Sequence, residues 1–134
     1  MADYDPSQIG DETGDAAFTR TSPHGGSYEA TYAGATSFLR CQYTRDLKNF
    51  DVAVSGVPFD LATTGRPGAR LGPRAVREAS VNLAWDQPQG WGVNPLDQLK
   101  VADWGDCVFD PGRPETWIDR LEAHASEILA TDTA

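Results

Sequence analysis

Asp51-Val-Ala-Val-Ser-Gly-Val-Pro-Phe-Asp60 leads through a glycine-rich run into Gly72-Pro73-Arg-Ala-Val-Arg-Glu-Ala-Ser80, and the fold is decided there. Asp51–Val57 is a short apolar run without strict alternation, ended by Pro58. Such a run fits a strand buried on both faces, as in a parallel sheet. Pro73, with Gly72 before it, suits a first helical turn, where proline's missing N–H would be unpaired anyway. Strand, loop and helix in this order make the front half of a βαβ unit.

Working downstream, residues 86–97 hold two prolines and two glycines and read as loop. Leu99–Trp104 is a second candidate strand, closed by Gly105-Asp106. The Pro111-Gly112-Arg113-Pro114 cluster breaks the chain, and a helix is expected from about Glu115 to Ala130. Trp117, Ile118, Leu121, Ala125, Ile128 and Leu129 fall at helical spacing as one apolar stripe. A helix of this kind after a buried strand should lead into another parallel strand. The sequence ends instead at Ala134, so two or three parallel strands with exposed edges are expected, a fold that reads as unfinished.

Upstream, residues 1–27 are rich in Gly, Ser, Thr, Pro and Asp and read as a mobile arm. Residues 28–134 read as the α/β domain. Its first part carries Tyr28, Tyr32, Phe38, Leu39, Tyr43, Leu47 and Phe50, which need something to bury against. The whole chain of 134 residues suffices for one domain, and 40% hydrophobic with 23% charged residues is globular composition. No run approaches the roughly 18 apolar residues of a membrane span, so no membrane partner is expected. The acidic, polar N-terminus lacks the pattern of a secretory signal, which points to the cytoplasm. A net charge of -9 disfavours nucleic acid, because basic residues cluster only mildly, at Arg66, Arg70, Arg74 and Arg77.

The residues alone offer three kinds of chemistry. Gly65–Gly72 lies between a strand and a helix start, where open α/β sheets bind ligands. It reads either as a tight turn with glycines at positive φ or as an anion cradle. It matches neither the Walker A loop nor Gly-x-Gly-x-x-Gly. Asp103, Asp106, Asp110, Cys107 and the two histidines are the available metal ligands, in no zinc pattern, and read more simply as solvated loop acids. His124 reads as a partly exposed helix residue. Cys41 and Cys107 read as partly buried free thiols, with no local pattern for nucleophilic catalysis.

Longer stretches carry a resemblance. Val54–Asp60, Ala62–Pro73 and Ala75–Ser80 closely resemble the agmatinase branch of the arginase (ureohydrolase) family. Asn82-Leu-Ala-Trp85, Val101-Ala-Asp-Trp-Gly-Asp106 and the lead-in Tyr32–Arg40 are similar to that family as well. The resemblance implies a three-layer α/β/α fold with a mostly parallel sheet, truncated here to its N-terminal part. It implies hydrolysis of a guanidino C–N bond, with agmatine and water giving putrescine and urea. Two Mn ions would activate the water in the complete enzyme. Guanidinobutyrate or another guanidino compound remains an alternative substrate, and the complete protein is expected to be a homo-oligomer.

The family's metal-ligand motifs, Gly-Gly-Asp-His, Asp-Ala-His-x-Asp and Asp-x-Asp-x-x-Asp-Pro, do not occur in this sequence. No catalytic or metal residue is therefore assigned, and the chain alone is expected to be inactive and not to bind Mn. An active-site rim is expected at Asp60, Thr64, Gly65, Arg66, Gly68, Arg70 and Gly72. Two non-catalytic alternatives remain: a module docking on a full-length homologue by strand addition, and a small anion-binding protein using Gly65–Gly72.

Overall fold

The computed structural model describes residues 32, 34–84, 88–131 and 133. The expected arm over 1–27, Tyr28 and Trp85 lie outside the described residues. Three strands are described: β1 (Gln42–Tyr43), β2 (Val52–Gly56) and β3 (Val101–Asp106). They form one parallel sheet in the order β1-β3-β2. Helix α1 (Gly72–Ser80) links β2 to β3, and α2 (Trp117–Leu129) follows β3.

The strand buried on both faces is β3, whose Ala102, Asp103, Trp104 and Gly105 are all buried. The sequence pattern pointed to β2 for that role. β2 is only half-buried from Val52 to Ser55, because among the described residues it pairs on one side alone and forms an edge. β1 has no signal in the sequence. It is two residues long, too short for any periodicity, and Tyr43 within it is 52% exposed.

A bulge sets the chemistry of the two sheet faces. Val54 pairs with Asp103, but Ser55 pairs with Gly105, so β3 carries one extra residue. Gly105 takes φ 83°, and a Cβ there would run into the Tyr43 hydroxyl. Without the bulge, Asp103 and Asp106 would point to opposite faces. With it, both turn toward α1, and Arg77 reaches both.

The α2 side of the sheet holds the apolar core of Leu47, Ala102 and Trp104, with Phe50, Ala53 and Ile128 packed against it. Helix, sheet and helix therefore form three layers. The apolar stripe expected along α2 is narrower than its sequence spacing implied. Trp117, Leu121, Ala125 and Ile128 turn inward, whereas Ile118 and Leu129 are 56% and 76% exposed. His124 takes an inward position and is buried, not partly exposed.

Candidate functional site

The strands run parallel, so their carboxyl ends lie at one edge of the sheet, and the segments after β2 and β3 meet there. Phe59 stacks on Trp117, with ring centroids 4.8 Å apart, and lies 5.4 Å from Phe109. These rings fasten the loop after β2 to the loop after β3 and to the first turn of α2.

Asp60 follows directly, and the glycine-rich loop folds around its carboxylate. Oδ2 accepts from the Gly68 amide at 2.8 Å and the Arg70 amide at 3.4 Å. Oδ1 accepts from Arg70 Nε at 2.6 Å and is ion-paired with Nη2 at 2.5 Å. The Arg70 hydrogen bonds lower the Asp60 pKa to about 2, against the opposing push of burial. Thr63 closes the near end, its amide and hydroxyl both donating to the Asp60 carbonyl. Of the loop glycines, Gly68 takes positive φ, at 145°, and Gly72 sits at −56° in the helical region. The loop is thus a carboxylate-centred turn, tighter in its bonding than in its glycine conformations.

Among the seven expected rim residues, the structure ties together Asp60, Gly68 and Arg70. Thr64, Gly65 and Arg66 stand exposed at the loop tip, and Gly72 opens α1. Three of the four clustered arginines are engaged internally: Arg70 with Asp60, Arg74 with Glu78, and Arg77 with Asp103 and Asp106. That spends most of the positive charge an anion cradle would need.

The second polar centre lies on the α1 face. Asp103, with no exposed surface, accepts four hydrogen bonds. Arg77 Nε (2.6 Å) and the Phe38 amide (2.8 Å) donate to Oδ2. Arg77 Nη2 (2.9 Å) and the Gly105 amide (3.0 Å) donate to Oδ1. Burial pushes the Asp103 pKa up, but the Arg77 and backbone hydrogen bonds outweigh it and the net shift is downward. Arg77 Nη1 also donates to Asp106 Oδ1 at 2.7 Å. Ser80 extends the network, accepting from the Leu39 amide and donating to the Arg77 carbonyl.

Asp103 and Asp106 are therefore not solvated loop acids. Sequence reasoning missed their partner. The available signal was an arginine on the helix side that must face a buried strand aspartate, since buried charges are paired.

These carboxylates do not fit a metal centre either. Every lone-pair direction of Asp103 is taken, and Asp106 is held by the same guanidinium. Among the described residues no group of three or more His, Cys, Asp or Glu is placed to hold a metal ion. Both cysteines are buried and free, and burial raises Cys41 to about 11. A thiol so held stays protonated at neutral pH and is a poor nucleophile.

Residues 50–134 match the sequence pattern of the Arginase family. The chain belongs to the arginase family. Its similarity to an agmatinase of Chromobacterium violaceum is 51% identity over 118 residues, covering 88% of this chain and 37% of that protein. An agmatinase of Edwardsiella ictaluri is 48% identical over 82 residues, 60% of this chain and 27% of its own length. The crystal structure of a hypothetical agmatinase from Burkholderia thailandensis superposes with a TM-score of 0.79 at 55% identity. That match covers 89% of this chain and 38% of the other. This arginase-family chain thus spans little more than a third of the length of the longest-matching relatives. Among its described residues, no helix is long and apolar enough to cross a membrane.

Proposed function

We propose that this chain is the N-terminal part of an agmatinase-like enzyme and supplies scaffold and site rim rather than reacting groups. In the reaction, the oxygen of water bonds to the guanidino carbon of agmatine. The bond from that carbon to the nitrogen carrying the aminobutyl chain breaks, and that nitrogen leaves as an amine with a proton from the water, giving putrescine and urea. The observation that carries this reading is the match to the Burkholderia agmatinase structure, which extends over 89% of this chain at 55% identity. The polar residues described here support a scaffold role, since Asp60, Arg70, Arg77, Asp103 and Asp106 are engaged with one another. The two Mn ions of the family would be held by residues this sequence does not contain. Thr64, Gly65 and Arg66, clamped by Asp60 through Gly68 and Arg70, would border the site, with Gly72 at the foot of the loop. We place the complete enzyme in the cytoplasm as a homo-oligomer.

The test uses two proteins. The 134-residue chain with agmatine and Mn should release no urea above a no-protein blank. A chimera carrying this chain in place of the matching part of the Chromobacterium agmatinase should release urea and putrescine in equal amounts, and faster from agmatine than from guanidinobutyrate. Urea from the isolated chain would overturn the scaffold assignment. A folded chimera that prefers guanidinobutyrate would overturn the substrate.

A further inference from the structure

The short strand β1 is fastened to the sheet by more than its own ladder. Arg45, two residues beyond it, lays its guanidinium over the Trp104 ring, 3.9 Å from the centroid. The Arg45 carbonyl accepts from Trp104 Nε1 at 3.3 Å, and Arg45 Nη2 donates to the Asp106 carbonyl at 3.3 Å. The same indole meets the His124 ring edge to face, with centroids 4.7 Å apart. His124 is buried, and its Nε2 lies 2.5 Å from the Ser55 hydroxyl. That hydroxyl donates to the Gly105 carbonyl, so Nε2 carries the proton and a second proton can enter only at Nδ1. A cation and a neutral imidazole thus share one indole.

We propose that His124 is an acid-sensitive latch on β1: a proton on Nδ1 sets an imidazolium beside the Arg45 guanidinium, and Arg45 leaves Trp104 and loosens the strand. Arg45 is the group that gives way because it is exposed and can carry its charge into water, whereas His124 is fixed within α2. The surrounding charges favour this outcome. Asp106 of β3 is already bound by Arg77. Glu127 and Arg120, both on α2, are exposed, so water screens them. Cys107 also faces α2, with its thiol on the Arg120 carbonyl, and burial keeps it protonated. Burial and then Arg45 hold the His124 pKa below its ordinary value, while Glu127 and Asp106 each pull less strongly the other way. Loosening reaches the bulge as well, since Tyr43 of β1 stands against Gly105. The latch belongs to this chain and does not rest on the reaction.

The test is an NMR titration of the 134-residue chain. The Trp104 ring current should hold the Arg45 δ-proton resonances upfield at pH 7.5. As pH falls, they should move toward their free positions with the same midpoint as the His124 Cε1–H resonance, which His24→Gln assigns. With His124→Asn, or His124→Gln if the first does not fold, the Arg45 resonances should stay in place over that range. Arg45→Met should raise the His124 midpoint by about half a pH unit, since it removes the facing charge and keeps a side chain on the indole. Arg45 resonances that do not move with His124, or that move equally in the His124 variant, overturn the proposal. So does an Arg45→Met chain whose His124 midpoint is unchanged.

Discussion

Asp103→Asn is the substitution with the most to lose. Each oxygen of the Asp103 carboxylate accepts one hydrogen bond from Arg77 and one from a backbone amide, Phe38 on Oδ2 and Gly105 on Oδ1. Asparagine keeps one oxygen and replaces the other with an amide donor. Whichever way it is oriented, one guanidinium N–H and one backbone N–H are left facing another donor. An orphaned buried donor costs about 1–3 kcal/mol. Arg77 keeps Asp106, which offsets part of its loss. The net cost is about 3 kcal/mol, a large share of the roughly 5–15 kcal/mol that holds a small domain. At about 3–5 °C per kcal/mol for a chain of this size, Tm should fall by about 10 °C or more. Differential scanning calorimetry on the purified chain measures it. Arg77→Met completes a double-mutant cycle, and the double variant should be clearly more stable than the two losses added together predict. A drop under about 3 °C, or strict additivity, would refute the four-donor account of Asp103.

Four further outcomes follow from the same geometry. Asp60→Ala should release the Gly68 and Arg70 amides and speed tryptic cleavage after Arg70, read by mass spectrometry; an unchanged cleavage rate would remove Asp60 as the loop's organiser. The pKa of Asp60 is lowered to about 2 from an unfolded value near 3.8, so its contribution is present above pH 3.8 and should disappear as pH falls toward 2, which a Tm series in wild type and Asp60→Asn would show. Gly105→Ala should destabilise by about 2 kcal/mol or more, because it pays for positive φ and meets the Tyr43 hydroxyl; Tyr43→Ala in the same chain should recover the steric part. His124 has its pKa lowered, mainly by burial and then by Arg45, so the unfolded chain takes up the proton first as pH falls below about 6.5. Stability should therefore fall through that range, and His124→Asn should flatten the slope in urea melts at pH 7.5 and 5.5.

The βαβ skeleton was legible because its signals are local. An apolar run, a glycine-proline helix start and a four-three helical spacing each occupy one stretch of chain. What was not legible depends on pairing. β1 exists because β3 offers an open side, and nothing in Gln42-Tyr43 announces that. The bulge at Trp104-Gly105 reverses the direction of every later side chain on β3, so Asp106 turns toward the helix that Asp103 already faces. From the sequence His124 reads as a partly exposed helix residue. It lies inward because its Nε2 meets the Ser55 hydroxyl at 2.5 Å and its ring edge meets Trp104 at 4.7 Å. That serine already donates to the Gly105 carbonyl, so the histidine must be the donor between them, which fixes the proton on Nε2. Of the candidate site, the Asp60–Gly72 loop is legible from its glycines and its place after a strand, whereas the central role of the Asp60 carboxylate appears only in its hydrogen bonds.

The loop that identifies the family can be read as a structural part for a physical reason. A surface turn with several glycines has high conformational freedom, and holding it in one shape needs a partner that supplies several acceptors at once. Asp60 supplies them, bonding both ends of the Gly68–Arg70 segment and neutralising the arginine that folds back on it. The residue types at these positions are then restricted by the turn itself. Glutamate would overreach the amides and lysine would lose the planar fork that meets a carboxylate. A motif can in this way be specific enough to mark a family while Asp60 and Arg70, two of its charged groups, are engaged with each other. The tip at Thr64, Gly65 and Arg66 stands exposed above that clamp, which determines where the tip stands.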